Sequence, residues 1–103
     1  MKIYRIRPID WIKFDESLDR RKITIYLGLS HYIKIEEDDQ NIIMWYICVT
    51  GGITLEYGRA STVSEMKRSC QRTWNKMVSR LLDEVEDEVE TIRRAREKMY
   101  PEL

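Results

Sequence analysis

Between Thr62 and Tyr100 apolar residues recur as Val63, Met66, Cys70, Trp74, Met77, Leu81, Val85, Val89, Ile92 and Met99. Steps of three and four residues set them on one stripe of an α-helix. The stripe falters only near Arg96, where Ala95 is the nearest apolar neighbour. Thr62 followed by Glu65 predicts a capping box at the start, with the hydroxyl accepting from the third residue and the carboxylate returning a bond. Pro101 predicts the end, because proline cannot continue a helix and biases Tyr100 away from one. No glycine or proline lies between. Such a helix reaches roughly 57 Å at about 1.5 Å per residue, more than a small sheet covers.

The residues before it read as strands. Ile3, Ile6, Ile9, Trp11, Ile12 and Phe14 form an apolar run interrupted by Pro8, which predicts an edge strand or two short pieces. Residues 15–21 are polar and predict a loop. Residues 22–27 (Lys-Ile-Thr-Ile-Tyr-Leu) are β-branched and aromatic, and Gly28 ends them. A further strand begins at Tyr32–Ile35, and an acidic turn follows over Glu36, Glu37, Asp38 and Asp39, then Gln40 and Asn41. Ile42–Thr50 is nearly all apolar or aromatic, the mark of a central strand. Gly51-Gly52 predicts a two-residue hairpin turn with positive φ at both positions. Ile53–Tyr57 returns, closed by Gly58. The fold class is α+β: an antiparallel meander of four to five strands, then one long C-terminal α-helix lying across one face. Residues 1–103 form a single domain, with the sheet in 1–60 and the helix in 61–100. The helix is expected to pack Met66, Cys70, Trp74, Met77 and Leu81 against Trp45, Ile47 and Val49 or their alternates. Residues 83–100 are a candidate association element.

Composition excludes several classes. Hydrophobic residues make up 43% and charged residues 35%, the proportions of a folded, soluble chain. Lysine plus arginine equals aspartate plus glutamate at 18 each, which argues against a whole chain committed to nucleic acid. The apolar run Ile42–Leu55 is too short to span a bilayer. The first residues carry charges and no signal-peptide core. Cys48 and Cys70 lie in apolar patterns and read as reduced, buried thiols of a cytoplasmic protein.

Trp11 follows an Ile-Asp pair, Gly28 precedes Tyr32 and Ile33 on a hairpin, and Trp45 sits on the next strand. Gly58-Arg59-Ala60-Ser61-Thr62 then opens a helix carrying Glu65, Lys67 and Trp74. Over residues 6–82 this order resembles a group of small phage and prophage proteins of unassigned function. They share an early tryptophan, a Gly-x-Tyr hairpin, a tryptophan strand and a Gly-x-Ala-Ser/Thr helix start. This chain departs in a longer spacing after Gly28, in Met66 where alanine is usual, and in a longer helix. The resemblance implies a phage origin and a meander-plus-helix fold, and it transfers no catalytic residue.

No catalytic, cofactor or metal site is expected. His31 stands by a turn with no companion carboxylate or thiol at a useful spacing. Glu36–Asp39 lacks the alternating ligands and glycine of a calcium loop. No lysine or helix start follows Gly51-Gly52, so it is no phosphate loop. Trp11, Trp45, Trp74 and six tyrosines could stack bases, although aromatics on strands and apolar stripes usually pack with one another. Tyr4, Tyr26 and Tyr57 are the better candidates for exposure.

Charge blocks are the most unusual feature. Arg68, Arg72, Lys76 and Arg80 recur every four residues as a basic ridge, off the apolar stripe and facing solvent. Asp83, Glu84, Glu86, Asp87, Glu88 and Glu90 follow, then Arg93, Arg94, Arg96 and Lys98. The plain reading is a solvated face with internal pairs such as Glu90 with Arg94. The functional reading is a non-enzymatic phage-type protein that uses the ridge to bind a host protein and inhibit or redirect it, with a host-defence component such as CRISPR as one target. The alternative is a small nucleic-acid-binding domain using the ridge with Arg5, Arg7, Arg20, Arg21 and Lys22. Val85, Val89, Ile92 and Met99 predict self-association as an antiparallel homodimer centred near Val89 or Ile92, since a parallel pair would set each charge block beside its own copy. The competing readings are a helix that breaks near Asp83 and folds back, or one that docks on a different protein.

Overall fold

A computed structural model of the chain describes residues 5–28 and 30–99. Ile3, Tyr4, Tyr100 and Pro101 therefore lie outside the described residues. In order, α1 spans Ile12–Asp15, β1 Lys22–Tyr26, β2 His31–Glu37, β3 Ile43–Val49, β4 Ile53–Ala60 and α2 Val63–Met99. The strands form one antiparallel sheet in the order β1-β2-β3-β4. This is an α+β meander followed by one long helix. The chain divides into two units, one of residues 7–74 and one of residues 1–6 with 75–103. The division falls at Trp74/Asn75, within α2.

In the 7–74 unit the strand alternation sorts the sheet into two faces. Ile23 and Ile25 of β1, Ile33 and Ile35 of β2, and Ile43, Trp45 and Ile47 of β3 share one face, and all are buried. Phe14, Met66 and Cys70, each almost fully buried, complete this core with Ile9 and Ala60. Each such isoleucine contributes about 1.5–3 kcal/mol by leaving water. The other face carries three cross-strand rows by register. They are Lys22, Glu36, Met44 and Arg59; then Thr24, Lys34, Tyr46 and Tyr57; then Tyr26, Tyr32, Cys48 and Thr54.

The apolar run before β1 is no strand among its described residues. It turns instead into α1, where the Asp10 carboxylate accepts a hydrogen bond from the Ile12 N–H at 3.0 Å and the Asp15 N–H donates to the Trp11 carbonyl at 2.8 Å. That turn buries Phe14, with Trp11 edge-on to it at 6.3 Å. Pro8 lacks the N–H a ladder needs, and the three-residue step from Trp11 to Phe14 suits one helical turn better than a strand.

The β3–β4 connection is three residues, Thr50-Gly51-Gly52, because Val49 pairs with Ile53. Both glycines hold positive φ, 98° and 78°. Gly58 does not close β4. It lies opposite Trp45, and a methyl group there would collide with the indole ring, so the strand needs glycine mid-length and continues to Ala60. Leu55 is an extra residue on β4, set between the Ile47–Glu56 and Cys48–Thr54 pairs as a bulge. The Asp38–Asn41 turn holds Asn41 at φ 63°, a conformation asparagine tolerates.

At the α2 start the Glu65 N–H donates to the Thr62 hydroxyl at 3.1 Å. The Glu65 carboxylate accepts from the Ser61 N–H at 3.2 Å, one residue earlier than the expected partner. The stretch Val63–Trp74 rises about 17 Å, comparable to a five-residue strand at about 3.4 Å per residue. This length accounts for where burial ends. Met66 and Cys70 are buried, Trp74 and Met77 are half-buried, and Leu81 is exposed rather than in the core as its place on the stripe suggests.

Candidate interaction surfaces

Three surfaces stand out, and the first two rest on a pattern already visible in the chain. The first is cationic. Arg68 and Arg72 are exposed on the 7–74 unit. Their neighbour Lys67 reaches the Asp15 carboxylate at 2.5 Å and lies over the Trp11 and Phe14 rings at 5.9 and 5.8 Å. Lys67 therefore ties α2 to α1, while Arg68 and Arg72 are exposed. Lys76 and Arg80, on α2 beyond residue 74, are also exposed.

The second surface is the distal half of α2. Val85, Val89, Ile92 and Met99 are between 48% and 70% exposed, although they continue the spacing that buries Met66 and Cys70. Val85 and Val89 border a shallow open depression of about 450 Å³ with Glu86, Asp87 and Glu90. Glu90 accepts from Arg93 at 2.7 Å and from Arg94 at 3.1 Å. The Arg93 hydrogen bond holds the Glu90 carboxyl below the usual range, opposed by slight desolvation and assisted by the Arg93 charge and by Arg94. Part of the basic block is thus paired within one helix, as i,i+3 and i,i+4 geometry allows.

The third surface is the sheet face opposite the core. Tyr26 and Tyr57 are 73% and 67% exposed, and Tyr32 and Tyr46 are half-buried beside them. Tyr26 and Tyr32 approach at 6.2 Å between centroids, and the Lys34 ammonium lies 5.7 Å from the Tyr46 centroid. Lys34 also pairs with Glu36 at 3.2 Å, and that hydrogen bond raises its pKa. Periodicity did not single out this tyrosine cluster, since its members come from four separate strands and only the register collects them.

The remaining polar groups have structural partners. The Asp38 carboxylate accepts from the Gln40 and Ile42 N–H groups at 2.9 Å each, closing its own turn. A cleft of about 460 Å³ beside it mixes Arg20 and Arg21 with Asp19, Glu37 and Asp39. Among the described residues no group of three or more His, Cys, Asp or Glu could hold a metal ion. His31 opens β2, with Nδ1 3.1 Å from the Ser30 hydroxyl and its ring 5.5 Å from Trp74. Cys48 and Cys70 are free and buried, and burial pushes the Cys70 thiol up to about 12, which makes it a poor nucleophile at neutral pH. Trp45 is buried, and its indole N–H has no hydrogen-bond partner among the described residues. No helix among them is long and apolar enough to cross a membrane. No protein-family model, no curated protein and no solved structure matches the chain.

Proposed function

We propose that this chain is a non-enzymatic, phage-type interaction protein that binds a host protein and inhibits or redirects it, and that it works as an antiparallel homodimer. The observation that carries the reading is the exposure of Val85, Val89, Ile92 and Met99 along one helical stripe. A narrow apolar seam flanked by charge is the pattern of helix pairing. An antiparallel pair centred on Ile92 sets Val85 against Met99 and Val89 against Ala95. It also sets Glu86 near Lys98, Glu88 near Arg96 and Glu90 near Arg94, against one like-charged match of Asp87 with Glu97. Each exposed pair contributes only about 0–1 kcal/mol, yet a parallel pair would reverse several signs together, and that difference selects direction. The exposed cations Arg68, Arg72, Lys76 and Arg80 are the surface offered to an acidic host protein. The resemblance to phage proteins supplies the host context, with a defence component as the target class.

Sedimentation equilibrium of the full chain at micromolar concentration tests the assembly. A dimer that becomes a monomer on Ile92→Asp, with an unchanged far-ultraviolet spectrum, is the expected result. A wild-type chain that stays monomeric overturns it. Once a partner is in hand, Arg72→Glu with Lys76→Glu should weaken its binding without unfolding the chain, and unchanged affinity would leave these cations as solubility groups.

A further inference from the structure

Of the two faces of the sheet, only one is committed to the core. The other keeps four tyrosines on four different strands and within two adjacent cross-strand rows. Two of them, Tyr26 and Tyr57, are mostly exposed, which is unusual for large rings on a half-covered sheet with no partner. They stand at opposite edges, on β1 and β4, so three strand spacings of about 4.8 Å separate them, or roughly 14 Å across the sheet. The charges on this face are three cations, Lys22, Lys34 and Arg59, against one carboxylate, Glu36. The balance is three minus one, or two net positive, on a face of a chain whose overall charge is zero. Lys22 and Arg59 are exposed and end the same row, while Lys34 sits beside Tyr46 in the next, between it and Thr24.

Flat rings set apart with cations around them match one ligand chemistry well. Unpaired bases stack on aromatic side chains regardless of sequence, and the backbone phosphates follow the cations. A duplex fits less well, because its bases are already stacked inside and offer no free faces to the rings. A protein partner would ask for an apolar centre, and the centre of this face is Lys34, Tyr46 and Met44, with Lys34 charged. We propose that the uncovered face of the sheet binds single-stranded nucleic acid, with bases stacked on Tyr26 and Tyr57 and phosphates held by Lys22, Lys34 and Arg59. This surface is separate from the seam on α2 and does not depend on the chain being a dimer.

The test uses the full chain and a fluorescein-labelled twelve-nucleotide oligothymidine, its uridine counterpart, and a duplex of the same length, followed by anisotropy. The single strands should bind more tightly than the duplex. Three phosphate contacts give a slope of log K against log salt of roughly −2, at about 0.7 per contact on single strands. Tyr26→Ala and Tyr57→Ala should each weaken single-strand binding by roughly 5- to 100-fold, while Tyr26→Phe and Tyr57→Phe should keep it, because the stacking ring survives. Arg59→Ala should flatten the salt slope by about 0.7. Both tyrosines are exposed, so a shared thermal midpoint certifies that the alanine variants are folded. Equal binding of duplex and single strand, binding indifferent to both tyrosines, or no binding of either oligonucleotide at low salt overturns the proposal. The last result would hand the face to a protein partner.

Discussion

The two halves of α2 carry apolar residues at the same spacing and have opposite fates. In the 7–74 unit, Met66 and Cys70 are fully buried with Ile33, Ile35, Ile47 and Phe14. Beyond residue 74, Leu81, Val85, Val89 and Ile92 keep the period and are exposed. Helical periodicity therefore reports which residues share a face and not what covers that face. In the first half the cover is in the chain. In the second these residues are exposed, and the charge order there is acidic residues first, basic residues second, a pattern that complements its own reversal.

Substitutions should differ sharply in effect between the halves. Phe14→Ala should cost about 3–5 kcal/mol in a denaturant titration, the usual range for emptying a buried aromatic site. Gly58→Ala should cost about 1–3 kcal/mol, since the added methyl meets the Trp45 ring and the packing must shift. A midpoint equal to wild type would mean the indole turns aside freely. Trp74→Ala should cost about 2 kcal/mol, below the range for a fully buried tryptophan, because the ring is half-buried beside His31.

Much of this was legible from residues alone. Residue pattern placed β1, β2 and β3 within a residue or two and the start of β4, and Thr62 marked the helix start, because local chemistry decides those features. The failures came where a distant residue decides. Gly58 looked like a strand end, and only Trp45 opposite it explains a glycine inside β4. The run from Ile6 to Phe14 looked extended until the Asp10 carboxylate closed a turn beneath it. Leu81 looked like core, although the stripe says nothing about how far a partner layer extends. The tyrosine face was half legible. Exposure of Tyr26 and Tyr57 followed from their sequence positions, but their common face needs the strand register.

The Cys70 thiol offers a finer probe of the buried half. Its folded pKa is raised to about 12 by burial from an ordinary value of 9.0. Between those values the unfolded chain releases this proton and the folded chain retains it. Stability should therefore fall as pH rises above about 9, by up to about 1.4 kcal/mol per pH unit from this group. Stability of wild type minus that of Cys70→Ala, followed from pH 8 to 11, isolates the slope. A difference that does not change with pH would place the thiol in contact with water. The smallest expected effect lies in the other half. Ile92→Ala should shift the midpoint by no more than about 0.5 kcal/mol in dilute solution, where an exposed side chain has little to lose, and should show itself only as weaker association at higher concentration.

Orientation is the sharpest demand on the distal helix. A spin label attached at Glu84→Cys in the full chain, with Cys48 and Cys70 buried and spared, reports the distance between the two copies by dipolar spectroscopy. Residue 84 lies eight residues from Ile92 in each copy. An antiparallel pair centred there separates the attachment points by about 24 Å along the axis at 1.5 Å per residue and about 9 Å across it, or roughly 26 Å in all. A single distance near that value is expected, allowing for the label arms. A distance of about 10 Å would mean a parallel pair with its charge blocks stacked on themselves, and no dipolar coupling at all would mean a monomer. Either result contradicts an antiparallel pair.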